Sequence, residues 1–313
     1  MSDWESSVAV ASGQAPLPVT AEGGPPGGRV VALVSKPVLL TGAVLLAALL
    51  LLAGPGRWLW PFDPWAMAGS PMLWPLEDPQ FPLGTDFMGR DLLAGLVSGA
   101  RVSLGVGLVS TLLAMTVGVL AGALGAYFGG WVDEALTRLT EVFQTLPKLV
   151  LAVVLVALFK PTVGTEVLAI GLVSWTPMAR LVRAQVLTLR ERDFVLAARA
   201  VGMGELHLLV DQILPHLWAP VLVMGSLTLA TAVQAEAALA FLGLGDPNVM
   251  SWGTVVAGGR EQVLDAWYIC AEPGLAIVWT VLAFNLLAEG LNDALNPALR
   301  AAAGGSPLRV AAG

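Results

Sequence analysis

Long apolar runs, interrupted by short clusters rich in glycine, proline, tryptophan and charge, set the rhythm of this chain. Val38–Ala53 carries no charge. Together with Val30–Ser35 across Lys36 it is long enough for a helix through a hydrocarbon core about 30 Å thick. A second uncharged run, Val102–Phe128, lies between Arg101 and Asp133. Leu149–Phe159 and Val167–Ala179 are shorter. They reach spanning length only if Lys148, Arg180 and Arg183 sit at helix ends and snorkel to the interface, which extends the spans to 142–160 and 164–187. Leu217–Ala235 continues past Glu236 to Leu244, and Pro273–Ala288 closes the series. The pattern predicts an all-α, polytopic membrane protein with six transmembrane helices. Val38–Ala53 starts far from Met1, and no small-x-small cleavage pattern follows it at Gly54-Pro55-Gly56-Arg57. It therefore reads as an uncleaved anchor rather than a signal peptide.

Between the spans, residues 1–32 are a Gly-, Pro- and Ala-rich stretch without helical or strand period, read as a disordered tail. Residues 33–100 hold the first span and a loop dense in Pro and Trp, whose indoles (Trp58, Trp60) suit a membrane–water interface. The remaining spans form a core over 101–300, followed by a tail over 301–313. Within the second span, Gly118 and Gly122, then Gly125 and Gly129, stand four apart on one face. Such spacing lets helix backbones approach closely, although glycine is also tolerated in membrane helices without a contact.

Composition agrees with this reading. Of 313 residues, 56% are hydrophobic and 12% charged, which nearly excludes a water-soluble globule. Basic residues are concentrated in the loops that follow an inside start, so the positive-inside rule places both termini in the cytoplasm and the loops 54–100 and 245–272 outside. A net charge of −7 argues against nucleic-acid binding. One cysteine, Cys270, and two histidines, His207 and His216, cannot assemble a Cys/His metal site. No G-x-x-x-x-G-K-[ST] occurs, so ATP hydrolysis by a P-loop is not expected of this chain, and no catalytic residue is assigned.

The longest inside connection, Thr188–Trp218, carries the most information. Phe194, Ala197, Ala198 and Val201 recur at i, i+3, i+4 and i+7, predicting a short amphipathic helix. Gly202-Met203-Gly204 turns the chain, and Leu206, Leu209, Val210 and Ile213 predict a second helix limited by Pro215. Small residues at Ala197, Ala198, Ala200 and Gly202 leave a shallow surface for another protein's side chains; a helix pair lying on lipid headgroups fits the same pattern.

Phe194-Val-Leu-Ala-Ala-Arg-Ala-Val-Gly202, with Ile213-Leu-Pro215, resembles the EAA loop of ABC-importer permease subunits, with Leu196 where the motif has glutamate. Three further stretches resemble the C-type permease subunit of dipeptide, oligopeptide or nickel importers. They are Pro82-Leu-Gly-Thr-Asp-Phe-Met-Gly-Arg-Asp91, Glu236-Ala-Ala-Leu-Ala-Phe-Leu-Gly-Leu-Gly245 with Ser251-Trp-Gly253, and the run Asn285–Arg300. The resemblance implies a type I importer permease fold in the inner membrane. It also implies a coupling loop over 191–215, in which Ala197, Ala198, Arg199, Gly202, Ile213, Leu214 and Pro215 meet the ATPase. The implied partners are a second related permease, two ATP-binding cassette subunits that hold ATP and Mg, an extracytoplasmic solute-binding protein and membrane lipid. No cofactor is implied for this chain itself.

Other residues invite chemistry. Gly84, Thr85, Asp86, Gly89, Arg90 and Asp91 alternate turn glycines with charges and read as an ordered external loop. Gln234, Glu236 and Asn285 are polar positions in spans and candidates for a translocation path. Near the outer end of its span, Glu236 reads as hydrated or interfacial; as a proton site it would instead make the chain a stand-alone proton-coupled carrier. Gly243-Leu-Gly-Asp246 matches the G-x-G-D of intramembrane aspartyl proteases but lacks the partner Tyr-Asp, and reads as a turn before Pro247.

Overall fold

The computed structural model describes residues 37–295; the tails expected over 1–32 and 301–313 lie outside them. The architecture is helical, with only two isolated bridges, Met67–Arg90 and Thr85–Asp91, among the described residues. The order is α1 (Pro37–Ala53), α2 (Leu92–Phe128), α3 (Gly130–Thr145), α4 (Lys148–Leu158), α5 (Val163–Ser174), α6 (Thr176–Leu189), α7 (Asp193–Ala200), α8 (Trp218–Phe241), α9 (Trp252–Gly259) and α10 (Tyr268–Leu295).

Four segments are long and apolar enough to cross a membrane: α2, the continuous pair α5–α6 over Val163–Leu189, the run Glu205–Phe241 that ends in α8, and α10. A fifth arises if α3 and α4 count as one broken span, and α1 is apolar but only 17 residues long. The sequence places a straight span over 142–160. Instead the chain turns by 90° between α3 and α4, because Leu146 is extended ahead of Pro147, whose ring disfavours a helical residue before it.

The second span begins at Leu92, ahead of the charge at Arg101 where hydropathy places its start. Asp91 caps it, accepting from Leu93 N–H at 2.9 Å and from Trp60 Nε1–H at 2.6 Å. Arg101 lies within the helix and donates to the carbonyls of Ala53 and Gly54, the free end of α1. Asp91→Ala removes both bonds and is expected to cost about 1 kcal/mol of stability, measured as a lower thermal midpoint of the solubilised protein.

Close backbone approach holds α2 at the centre. A methyl group on Gly118 would sit 2.8 Å from the Trp175 carbonyl, and one on Gly122 2.4 Å from that of Ala179, so this glycine pair is the α2–α6 contact. The pair Gly125 and Gly129 is not: Gly129 ends the helix at φ 67° and faces open space. Gly290 and Gly42 do the same work between α10 and α1, where added methyls would lie 2.6 Å from Leu39 Cα and 2.8 Å from Leu287 N.

Candidate functional site

Thr188–Trp218 forms one end of the bundle. Arg192 is extended and α7 follows it, but the helix turns its apolar residues in two directions. Val195 is fully buried, packing with Tyr127, Val182, Val186, Leu208, Leu209 and Ile213 in one cluster at the base of α2, α6 and α8. Phe194, Leu196, Ala197 and Val201 point away from the bundle. Val201 is 89% exposed and Leu206 63%, while Ala198 is partly covered. The predicted stripe is therefore offered outward, with Ala198 partly covered, and Val195, between its members, is the anchor.

Gly202 closes α7 at φ +90°, a conformation that side chains other than glycine adopt only at a cost, and nothing lies within 4 Å of where a Cβ would stand. Beyond it the sequence expects a helix stopped by Pro215. Instead the chain stays helical from Glu205 into α8, through a π segment at Leu208–Ile213 and a 3₁₀ turn at Leu214–Leu217. Pro215 falls near the start of that 3₁₀ turn, where its missing N–H leaves no partner unsatisfied. Ile213 is buried, Leu214 half-buried and Pro215 exposed.

Polar ties fix the loop to the spans. Tyr127 Oη donates to Glu205 Oε2, which also faces Arg199 at 3.3 Å; Arg190 donates to the Ala126 carbonyl at 2.8 Å. Arg183 makes a two-point pair with Asp133 at 2.6 and 2.7 Å, holding α3 to α6. His216 stacks on Phe194 with ring centroids 5.0 Å apart. Tyr127, Glu205 and Val195 are not singled out by the sequence, because each acts through a partner distant along the chain. His207 and His216 are exposed.

At the opposite end, the Gly84–Asp91 segment is an ordered cap. Gly84 and Gly89 lie at φ +79° and +78°, and methyls there would approach the Leu73 and Gly69 carbonyls to 2.2 Å. Thr85, fully buried, accepts from Leu73 N–H and donates to the Ser70 carbonyl. Asp86 Oδ1 accepts from Met88 and Arg90 N–H, and the Arg90 guanidinium lies 4.9 Å over Trp65. Tyr268 Oη donates to the Leu73 carbonyl at 2.8 Å, joining the cap to α10.

Gln234, Glu236 and Asn285 do not converge. Gln234 on α8 and Asn285 on α10 are exposed, whereas Glu236 is 1% exposed and faces inward. The hydrated environment expected for it is corrected by α9, which covers it and of which the sequence gives no sign. This short helix folds back against the bundle, with Gly253 so close to α8 that a methyl would lie 2.7 Å from Ala237 Cα. Trp252 N–H donates to Ser103 Oγ, and the hydroxyls of Ser103 and Ser251 lie beside the Glu236 carboxyl. Asp246, in the turn opened by Gly243 at φ +79°, accepts from Asn248 and from Val163 N–H, while its own N–H donates to Glu166 Oε1 at 2.9 Å. The bonds from Asn248 hold its carboxyl below the usual range. Asp246 is thus a turn residue clamped to the start of α5.

Residues 114–301 match the family of binding-protein-dependent transport system inner membrane components. The di/tripeptide transport system permease protein DppC of Pseudomonas aeruginosa is 41% identical over 252 residues, covering 79% of this chain and 83% of that protein. The probable D,D-dipeptide transport system permease protein DdpC of Escherichia coli is 36% identical over 263 residues, covering 84% and 88%. In fold, the chain resembles an inward-facing structure of the MetNI methionine ABC transporter, with a TM-score of 0.55 and 16% identity, over 64% of this chain and 96% of that one.

Proposed function

The chain belongs to the family of binding-protein-dependent transport system inner membrane components, and from that premise we propose that it is a permease subunit of an ATP-driven importer of dipeptides or oligopeptides. It forms half of the translocation path beside a second related permease, in the inner membrane with both termini cytoplasmic. A solute-binding protein delivers substrate at the Gly84–Asp91 cap. Two ATPase subunits, which carry ATP and Mg, engage the loop 191–215. No reaction is catalysed by this chain.

The observation that carries this reading is the loop itself. Apolar side chains at Leu196, Val201 and Leu206 are exposed although the backbone beneath them is anchored through Val195, Leu208, Leu209 and Ile213. A rigid platform with an uncovered apolar face is what a docked partner requires. Closure of the ATPases on ATP would pull on α7, and the continuous helix from Glu205 through α8 carries that displacement into the spans. ATP then shifts the balance between two arrangements by its differential affinity for them.

Thr231, Gln234, Asn285 and Glu289 are exposed on α8 and α10, helices that pack against each other. Polar side chains turned outward from a span are costly against lipid and favour a hydrated path between two permeases. Glu236, covered by α9, stands apart from these exposed positions.

The test is purification of the tagged chain in mild detergent with mass spectrometry of associated proteins. Recovery of P-loop ATPases and a second permease is expected, and Gly202→Asp is expected to lose the ATPases while keeping the permease. A chain that purifies alone in several detergents, or a Gly202→Asp chain that keeps its ATPases, would overturn the coupling role.

A further inference from the structure

Away from the loop and the cap, one groove combines an apolar wall with an unsatisfied carboxyl group. It lies between α1 and α10 and has a volume of about 660 Å³. Leu45, Leu49, Leu52, Leu275, Trp279 and Leu282 line it, and Leu275 and Leu282 remain exposed. At the end nearer the cap stands Glu272, among the lining residues. Its Oε2 is shielded from solvent and has no hydrogen-bond partner, and Glu272 forms no ion pair among the described residues. A second acidic residue, the α2 cap Asp91, lies near enough to act on it, so this end of the groove is acidic.

Geometry narrows the occupant. From Glu272 to Leu282 the helix rises roughly 15 Å, about half of a 30 Å hydrocarbon core. The groove is thus one leaflet deep, apolar along its length and acidic at its interfacial end. An acyl chain fits the wall. A cationic headgroup with N–H donors fits the carboxylate, since a charged donor is the partner that a buried carboxylate oxygen lacks. A quaternary headgroup offers charge without donors, and an anionic one is repelled.

We propose that the α1–α10 groove binds a phospholipid whose headgroup ends in a primary ammonium, with Glu272 as the headgroup acceptor and the leucine wall as the acyl seat. This site is separate from the transport reading and is tested without measuring transport.

The experiment is lipid analysis of the complex purified from a membrane containing both ethanolamine and glycerol headgroups, repeated after exchange into nanodiscs with ethanolamine and choline lipids in equal amounts. Wild type is expected to retain ethanolamine lipid about tenfold over its share of the bilayer, the size of one charge-assisted hydrogen bond. Glu272→Gln is expected to return that ratio to the bulk value, and Glu272→Asp to keep a preference. Leu275→Trp, which fills the groove and leaves the carboxylate, is expected to lose the bound lipid whatever its headgroup. Wild type at the bulk ratio, as when a partner helix covers the groove, or a preference unchanged in Glu272→Gln, overturns the proposal.

Discussion

ATP-driven uptake is expected to fall at least about tenfold when Val201 is replaced by Glu, while the folded yield and thermal midpoint of the solubilised chain stay as they are. Val201 is 89% exposed at the end of α7, so within this chain a carboxylate there stays in water and loses nothing. The cost arises only when a partner covers it, because an interface would then bury an unpaired charge, at several kcal/mol. Val195→Glu is the opposite case. That position is fully buried beneath α7, so the same change is expected to lower the thermal midpoint and loosen the loop before any partner binds. Uptake in proteoliposomes with the ATPases present, set beside a melting curve for each variant, separates the two. Normal uptake by Val201→Glu would remove the exposed face of α7 from the coupling surface.

These two neighbours show what a sequence reveals of such a loop and what it hides. Period and composition mark a short helix at Phe194–Val201 and a glycine turn after it, and both are present. Which face is buried depends on what lies beneath, and here that is Tyr127, Val186 and Leu208, contributed by three other segments. The period marks the stripe of Phe194, Ala197, Ala198 and Val201, but not Val195, which lies off that stripe and is the residue the bundle buries.

The same limit explains Glu236. Its residue type and its span are legible, but its burial is made by α9, a helix in a stretch that reads as an outside loop. The signal exists only as packing, with Gly99 and Gly253 admitting the Trp252 segment between α2 and α8. Pro215 misleads for a related reason. A proline ends a regular α-helix by removing one ladder bond, yet the chain passes it by changing pitch twice, and the sequence offers no mark of a π or 3₁₀ turn. By contrast Gly84, Asp86, Gly89 and Asp91 were readable because turn glycines and capping carboxylates act through bonds only a few residues away.

Helix α2 allows a sharper test, because it holds glycines that differ only in what faces them. At Gly122 a Cβ would lie 2.4 Å from the Ala179 carbonyl and 3.0 Å from Arg183 N, both backbone atoms of α6 that no side-chain rotation can move aside. At Gly105, in the same helix, nothing lies within 4 Å. Gly122→Leu is therefore expected to separate α2 from α6, uncovering Val182 and Met178 and pulling the Arg183–Asp133 pair apart, with a loss of at least about 3 kcal/mol from overpacking and the opened cavity. In membrane the effect is undiluted, since lipid offers no hydrophobic drive to hold the two helices together once their backbones cannot touch. Gly105→Leu is expected to leave the fold intact and to raise helix propensity slightly. The measurement is folded yield and thermal midpoint of both variants in one detergent. Equal stability of the pair would mean that α2 and α6 are held by something other than glycine-mediated contact, and the small-residue spacing would then carry no structural weight.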